Sequence, residues 1–228
     1  MKMLRKRIAN GLFKTFLFLT CKIDTSEFRK IPWEGPGIFV TNHTTNVEGP
    51  MYYVTLFPRR MTALGKSELW KNPFTRFFMD SWDVIPLHRG AGDRDAIRKG
   101  LEALEAGMFL GIAPEGTRSK TGVLMKGHRG ASFFATAKRV PIYPIATWGI
   151  MDWPKYLLKP KRCPVSVRVG EPFYLEKKEP GEITSQDRRK MTDQMMYRIA
   201  SLLPGELRGP YADLSEMDDC YITPVAGE

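Results

Sequence analysis

The chain has 228 residues, 43% of them hydrophobic, which fits one domain with a sizeable core. Thirty-five Lys and Arg against 25 Asp and Glu give a net charge of +10, which points to an anionic partner (a phosphorylated substrate, a membrane surface or a nucleic acid) without choosing among them. Three cysteines, Cys21, Cys163 and Cys220, are odd in number, far apart and without metal-ligand spacing, which argues against a disulfide framework or a zinc site and suits a reducing compartment.

In chain order, the first segment joins Lys2, Arg5, Lys6 and Arg7 to an apolar run over 11–19 that Lys14 interrupts. A bilayer-spanning helix takes about 20 apolar residues, so this run is too short to cross. Leu4, Ile8, Leu12, Phe16 and Leu19 fall on one helical face with most of the basic residues elsewhere, the pattern of a helix lying in the headgroup region. An amphipathic helix packed on its own domain has the same pattern, and the residues alone leave both readings open. A basic start and a short apolar core are also features of a signal peptide, but no small-x-small cleavage site follows, and Thr20 before Cys21 is a poor lipoprotein site.

Residues 31–37, IPWEGPG, are a turn-rich lead into a short buried strand over 37–40. The chain then reads FVTNHTTNVEGP from Phe39 to Pro50, which places His43 and Glu48 in a polar loop. If a helix starts after His43, this offset lets the two side chains meet, less squarely than an offset of three or four. A carboxylate on one imidazole nitrogen fixes the tautomer and stabilises the imidazolium, so the other nitrogen serves as a general base near neutral pH. That is the acid-histidine part of a serine-hydrolase triad, with a substrate hydroxyl in place of the serine. The alternative is an ordinary capped turn, in which Asn42 and Thr44 bond local backbone and His43 is merely exposed.

Beyond that loop helix and strand alternate. A buried helix is expected over 50–57, a strand over 61–65, and a helix over 68–80 that Pro73 splits. Residues 83–87 read as a strand ending at His88 and Arg89. Residues 93–106 read as the clearest helix, with Ile97, Leu101 and Leu104 on one face and Gly107 at its end. A strand over 108–113 delivers PEGTRS, Pro114 to Ser119, into a turn, and a basic loop with Lys120, Lys126, His128 and Arg129 leads to a helix over 131–138. The strand over 140–147 contains Pro141 and Pro144; because proline cannot donate a ladder bond, it is expected at an edge or a bulge. Residues 148–160 hold Trp153, Tyr156, Leu157 and Leu158 among lysines, which suits a loop at a lipid interface and equally an aromatic loop packed on the core. A strand over 165–169 and an amphipathic helix over 185–203, with Met195, Met196, Ile199 and Leu203 inward, complete the pattern, and the acidic tail from Arg208 is expected to be loose. The alternation implies an α/β fold, a single domain with a mostly parallel or mixed sheet flanked by helices.

Four blocks stand in order: His43 to Glu48, DVIPLHRG over 83–90, APEGTRS over 113–119 and VPIYPIA over 140–146. On these the sequence resembles the glycerolipid acyltransferase family, whose best-known members are 1-acylglycerol-3-phosphate (lysophosphatidic acid) acyltransferases. That family shows a histidine, four residues and an aspartate, then an arginine block, a Pro-Glu-Gly-Thr-Arg-Ser block and a proline-rich apolar strand. The resemblance covers 31–172, with VRVGEPF over 167–173 as a late counterpart. It departs at Glu48, where the usual residue is aspartate, although glutamate occurs in some branches. It implies that His43 and Glu48 are the catalytic pair and that Arg89 binds the acceptor's phosphate. It further implies that Glu115, Gly116, Thr117 and Arg118 line the acceptor site, with Arg118 on phosphate. Arg129 would meet the phosphate of either the acceptor or the donor's nucleotide, and Pro141 would lie near the acyl donor. The residue types suit these posts: a guanidinium is a planar fork matched to phosphate oxygens, and Gly116 has no side chain to bar approach to the backbone.

The resemblance implies an acyltransferase of phospholipid biosynthesis. It would move a fatty acyl group from acyl-CoA or acyl-carrier protein, as cosubstrate and with no cofactor, to the free hydroxyl of a lysophospholipid. Lysophosphatidic acid is the leading acceptor, with glycerol phosphate, lyso-phosphatidylinositol and a glycolipid left open. No metal is expected, since the sequence holds no ligand cluster. The expected organisation is an N-terminal membrane-associating helical segment over 1–28, an acyltransferase domain over 29–205 and a C-terminal tail over 206–228. The protein would be peripheral or monotopic at the cytoplasmic face of the cell membrane, in an oligomeric state the sequence does not show. A lipid-ester hydrolase would use the same histidine but needs an activated serine or water, and no G-x-S-x-G elbow occurs. A non-enzymatic amphitropic membrane-binding protein leaves the four blocks unexplained. A nucleic-acid partner rests on charge alone and is not expected.

Overall fold

The apolar run that follows IPWEGPG folds as the middle of a sheet covered on both faces. The computed structural model describes residues 2–88 and 93–225. Its helices are α1 (Lys2–Thr20), α2 (Glu48–Thr55), α3 (Pro73–Ser81), α4 (Arg94–Glu105), α5 (Ala131–Ala137), α6 (Trp153–Tyr156) and α7 (Ser185–Ala200). Its strands are β1 (Cys21–Ile23), β2 (Gly37–Thr41), β3 (Met61–Lys66), β4 (Ile85–Leu87), β5 (Phe109–Ile112), β6 (Ile142–Trp148), β7 (Cys163–Val169), β8 (Phe173–Leu175) and β9 (Ile222–Pro224).

The sheet is mixed. The strands run β1-β7-β6-β2-β5-β3-β4, with β8 and β9 off this path. Pairing is parallel through β6, β2, β5, β3 and β4 and antiparallel where β6 meets β7 and β8. Along β2, Phe39 points to a cluster with Met51 of α2, Phe78 of α3 and Leu17 of α1, whereas Ile38 and Val40 join Leu104 of α4, Phe134 of α5 and Met195 of α7. Burial on both faces is why the strand reads as continuously apolar. The neighbours β2 and β5 send their following connections to opposite faces, β2 into α2 and β5 towards α5. In an open α/β sheet, that reversal leaves a crevice at the carboxyl ends of the strands.

The helices expected over 93–106 and 185–203 are present as α4 and α7. Asp93 caps α4 by accepting from the Ala96 N–H at 3.0 Å, and Thr184 with Asp187 forms a capping box at α7. Pro73 does split its helix: a 3₁₀ turn over Ser67–Trp70 is followed by α3 with the proline in its first turn, where no N–H is needed.

Other expectations are corrected. Strand β6 lies inside the sheet, not at an edge, and Pro144 is tolerated there because β7 ends opposite Ile145 while β8 starts opposite Ile142, so the proline stands where one neighbour gives way to the next. The tail is not loose. Tyr211 is buried, its hydroxyl donates to Asp193 at 2.9 Å and accepts from the Gly127 N–H at 3.2 Å, and β9 pairs with β8. Nor is the N-terminal segment separate from the domain, since α1 packs on α2 and α3 and β1 pairs with β7. Between β6 and β7 the two readings of the aromatic loop divide the residues: Trp153 and Tyr156 pack against the core, while Leu157 and Leu158 are exposed.

Gly149 makes the turn after β6 possible. Its φ is 85°, and a Cβ there would sit 2.4 Å from the Pro164 carbonyl oxygen. Replacing it should therefore strain the backbone twice, and Gly149→Ala is expected to lose roughly 2–4 kcal/mol of stability. The check is the urea midpoint at constant slope; an unmoved midpoint would show that the turn relaxes freely.

Candidate active site

Strand β2 ends at Thr41, and the chain leaves the sheet through Asn42 and His43 before α2 begins at Glu48. The loop is fixed on both flanks. The buried Asn42 donates its amide N–H to the Thr147 carbonyl at 2.7 Å and accepts the Thr147 N–H at 2.9 Å, a two-point clamp onto β6. On the other flank Glu115, also buried, accepts the His43 N–H at 2.7 Å with one carboxylate oxygen and the Met125 N–H at 2.8 Å with the other. The His43 carbonyl accepts from the Ser119 N–H at 2.8 Å. Both backbone polar groups of the histidine are thus held by the segment 115–119.

His43 Nδ1 lies 3.1 Å from a Glu48 carboxylate oxygen. The Glu48 side chain is 1% exposed and that of His43 29%, so the carboxylate is enclosed while the ring reaches the surface. The Thr44 N–H lies 3.1 and 2.9 Å from the two Glu48 oxygens, and the Thr44 hydroxyl donates to one of them. Glu48 is the first residue of α2, where unpaired helix N–H groups favour a negative charge. A carboxylate so placed binds Nδ1–H and leaves Nε2 as the ring nitrogen that accepts a proton. Beside the pair, the Tyr52 hydroxyl lies 2.7 Å from both Thr41 Oγ1 and Thr147 Oγ1. Burial first, and the Glu48 charge second, push this phenol far above its usual range, so it stays a neutral link between β2, α2 and β6.

The carboxyl end of this parallel strand thus carries an oriented histidine, backed by an enclosed carboxylate and clamped by a Pro-Glu-Gly-Thr-Arg turn, an arrangement with the geometry a general base needs. A family model described as Acyltransferase matches residues 22–148, more than half of the chain. The chain belongs to the acyltransferase family. It is similar to a 1-acyl-sn-glycerol-3-phosphate acyltransferase of Bacillus subtilis, 26% identical over 198 residues that make up 86% of this chain and 96% of that protein. A Pseudomonas aeruginosa protein of the same name is 25% identical over 159 residues, 68% of this chain and 61% of the other. The chloroplastic protein LPAT1 of Arabidopsis thaliana is 28% identical over 142 residues, but the match spans only 39% of its length. The crystal structure of the LPA acyltransferase PlsC from Thermotoga maritima has a TM-score of 0.57, covers 85% of this chain and 75% of its own, and at 24% identity is a likeness of fold.

The remaining residues picked out by sequence are spread unevenly around this acyltransferase's histidine. Gly116 turns the block at φ 63°, with the His128 ring 2.9 Å from where a Cβ would stand. Thr117 and Arg118 are exposed on the turn, whereas Glu115 faces inward, with both oxygens on backbone N–H groups. Arg129 is exposed and donates to the Ser185 hydroxyl at 2.7 Å. Pro141 precedes β6, at the opposite end of that strand from Thr147, and is not gathered with His43. Arg89 lies outside the described residues. His88 and Asp93 repeat the spacing of His43 and Glu48, with Nδ1 3.1 Å from the carboxylate, but this ring is 74% exposed and Asp93 is engaged as the cap of α4. Sequence reasoning missed the role of Asn42: it sits beside the histidine as a local-turn residue would, yet its partner is 105 positions away.

Glu115 carries a pH signature. Burial raises its carboxyl from 4.5 to about 7, against the pull of the His43 and Met125 N–H groups. With the folded value above the unfolded one, the stability this group contributes is complete below pH 4.5 and is lost as pH rises through about 7. The stability difference between wild type and Glu115→Gln should accordingly shrink or change sign across that window and stay flat above it. Urea titrations at a series of pH values measure it, and a constant difference would return the carboxyl to its ordinary range.

Proposed function

We propose that this acyltransferase moves a fatty acyl group from a thioester donor, acyl-CoA or acyl-carrier protein, to the free hydroxyl of 1-acylglycerol-3-phosphate, giving phosphatidic acid. The observation that carries the reading is the 3.1 Å contact between His43 Nδ1 and the enclosed Glu48 carboxylate. His43 Nε2 takes the proton of the acceptor hydroxyl as its oxygen attacks the thioester carbonyl. The tetrahedral intermediate then collapses, the carbon–sulfur bond breaks, and the leaving thiolate takes the proton back from the imidazolium. Glu48 stabilises that imidazolium, and no acyl-enzyme forms. The acceptor is supported by the names of the Bacillus and Pseudomonas relatives. Arg118 suits the acceptor's phosphate, being exposed on the turn whose next residue, Ser119, bonds the His43 carbonyl; holding the phosphate there orients the hydroxyl at the base.

The proposed workplace is a membrane surface, with the protein peripheral or monotopic at the cytoplasmic face. Among the described residues no helix is long and apolar enough to cross a membrane. Helix α1 instead has two apolar sides. Ala9 and Leu17 are buried against the domain, while Leu4, Ile8, Leu12 and Leu19 face outward between the exposed Lys2, Arg7 and Lys14. Arg5 ties α1 to Asp80 of α3, where Phe74 is exposed, and Phe16 packs edge-on to Trp153, next to the exposed Leu157 and Leu158. Apolar side chains ringed by lysine and arginine suit an anionic lipid surface.

In a thiol-release assay with acyl-CoA and lysophosphatidic acid, His43→Ala should lower acceptor-dependent turnover by about 10²–10⁴-fold and Glu48→Gln by about 10²-fold. Full activity in folded His43→Ala protein would sink the mechanism, and free fatty acid in place of a diacyl product would make the enzyme a hydrolase. Leu12→Asp, at a position 57% exposed, should weaken binding to anionic vesicles while leaving the urea midpoint in place. Vesicle binding equal to wild type would remove this face of α1 from the lipid contact.

A further inference from the structure

A groove of about 370 Å³ opens where α4, α5 and α7 meet, on the sheet face opposite α1, and nothing in the mechanism above uses it. Its floor is Ile97, Phe133 and Phe134, and its rim is Arg129, Ser185 and Arg188. The two guanidiniums are held by neutral oxygens. Arg129 Nη1 donates to Ser185 Oγ at 2.7 Å, and Arg188 Nη1 donates to Thr136 Oγ1 at 3.0 Å with its Cζ 5.2 Å from the centroid of the Phe133 ring. Elsewhere on the surface Arg98, Arg139 and Arg198 are each neutralised by a carboxylate, whereas neither rim arginine has such a partner among the described residues. Two oriented, uncompensated cations above an aromatic floor complement a flat base carrying phosphates.

The groove also adjoins the catalytic loop. His128, the residue before Arg129, donates its N–H to the Pro114 carbonyl at 2.8 Å and lays its ring against Gly116. A ligand anchored on Arg129 therefore lies one residue from the segment that backs the turn whose Glu115 and Ser119 hold His43.

We propose that this groove seats the nucleotide end of a coenzyme A thioester, with adenine on the Phe133 side, phosphate on Arg129 and Arg188, and the pantetheine arm running past His128 towards His43. The proposal rests on the acyl-transfer reading and selects the donor within it. A concave apolar floor fits a small flat ligand, whereas a carrier protein presents a convex protein surface that needs only charge on a flat face.

The test uses the full chain in detergent. Titration with adenosine 3′,5′-bisphosphate reads the groove alone, and steady-state kinetics with acyl-CoA, its 3′-dephospho analogue and acyl-carrier protein read the donor. Arg188→Gln and Arg129→Gln should each weaken bisphosphate binding and raise KM for acyl-CoA about tenfold, the value of one charge-assisted hydrogen bond, with kcat and the acceptor's KM within about twofold. Arg188→Lys should recover part of the loss. The proposal is overturned if the variants bind the bisphosphate like wild type, if the acceptor's KM rises instead, or if only the carrier-protein donor suffers. Should wild type transfer no acyl group to any lysophospholipid, the transfer reading fails, and the bisphosphate titration still decides the groove.

Discussion

Glu115 accepts the N–H of His43 with one oxygen and that of Met125 with the other, at a position almost sealed from water. Burying a carboxylate between backbone amides is costly unless its lone pairs are met, and here the amides come from two separate loops, so the group fixes one against the other. The consequence for PEGTRS is a division of labour by geometry. Its glutamate points in and sets the backbone, its glycine takes the left-handed turn, and its arginine is left outside, where a ligand can reach it. The histidine's ring is oriented by a neighbour on its own loop, while its backbone is located by residues from β5 onward. The ring and the backbone of His43 are therefore held by different partners.

Much of this was legible in the sequence because it is local. The offset between His43 and Glu48, the apolar run of β2, the shared face of Ile97, Leu101 and Leu104 on α4 and the inward methionines of α7 are patterns of neighbouring residues, and local sterics and hydrogen bonding enforce them. The longer arm of glutamate, where the family usually has aspartate, spans the offset and still leaves its oxygens within reach of Thr44. What could not be read is what depends on a partner far along the chain. Asn42 has the composition of a turn residue, and only the arrival of Thr147 makes it a clamp. Pro144 looks like an edge proline until β7 and β8 are seen to divide one side of β6 between them. The tail is acidic in composition, yet it is ordered by Tyr211, whose hydroxyl reaches both α7 and the loop before α5.

Helix α1 shows how a single amphipathic pattern conceals two surfaces. The stripe through Leu4, Ile8 and Leu12 is the conspicuous one, and it faces away from the protein. The inward side is made of Ala9, Phe13 and Leu17, a second stripe at helical spacing, with Asn10 accepting from the Trp82 indole N–H at 2.8 Å. Because that side is packed on α2 and α3, the helix is part of the domain and is not a tether to it.

The pairing of β1 with β7 has a consequence for biosynthesis. Cys21 stands beside Cys163 in the sheet, so β1, directly after α1, is joined to a strand far later in the chain. A chain ending at Trp148 would contain every partner of the His43 loop, from Glu48 to Thr147, and would still lack the strand that β1 needs. Contacts this distant in sequence form late, and until they do β1 lacks its partner, although the inner side of α1 can already pack on α2 and α3. The His43 loop thus has all its partners within a segment that still leaves β1 unpaired, so the loop and the edge of the sheet are completed by different stretches of the chain.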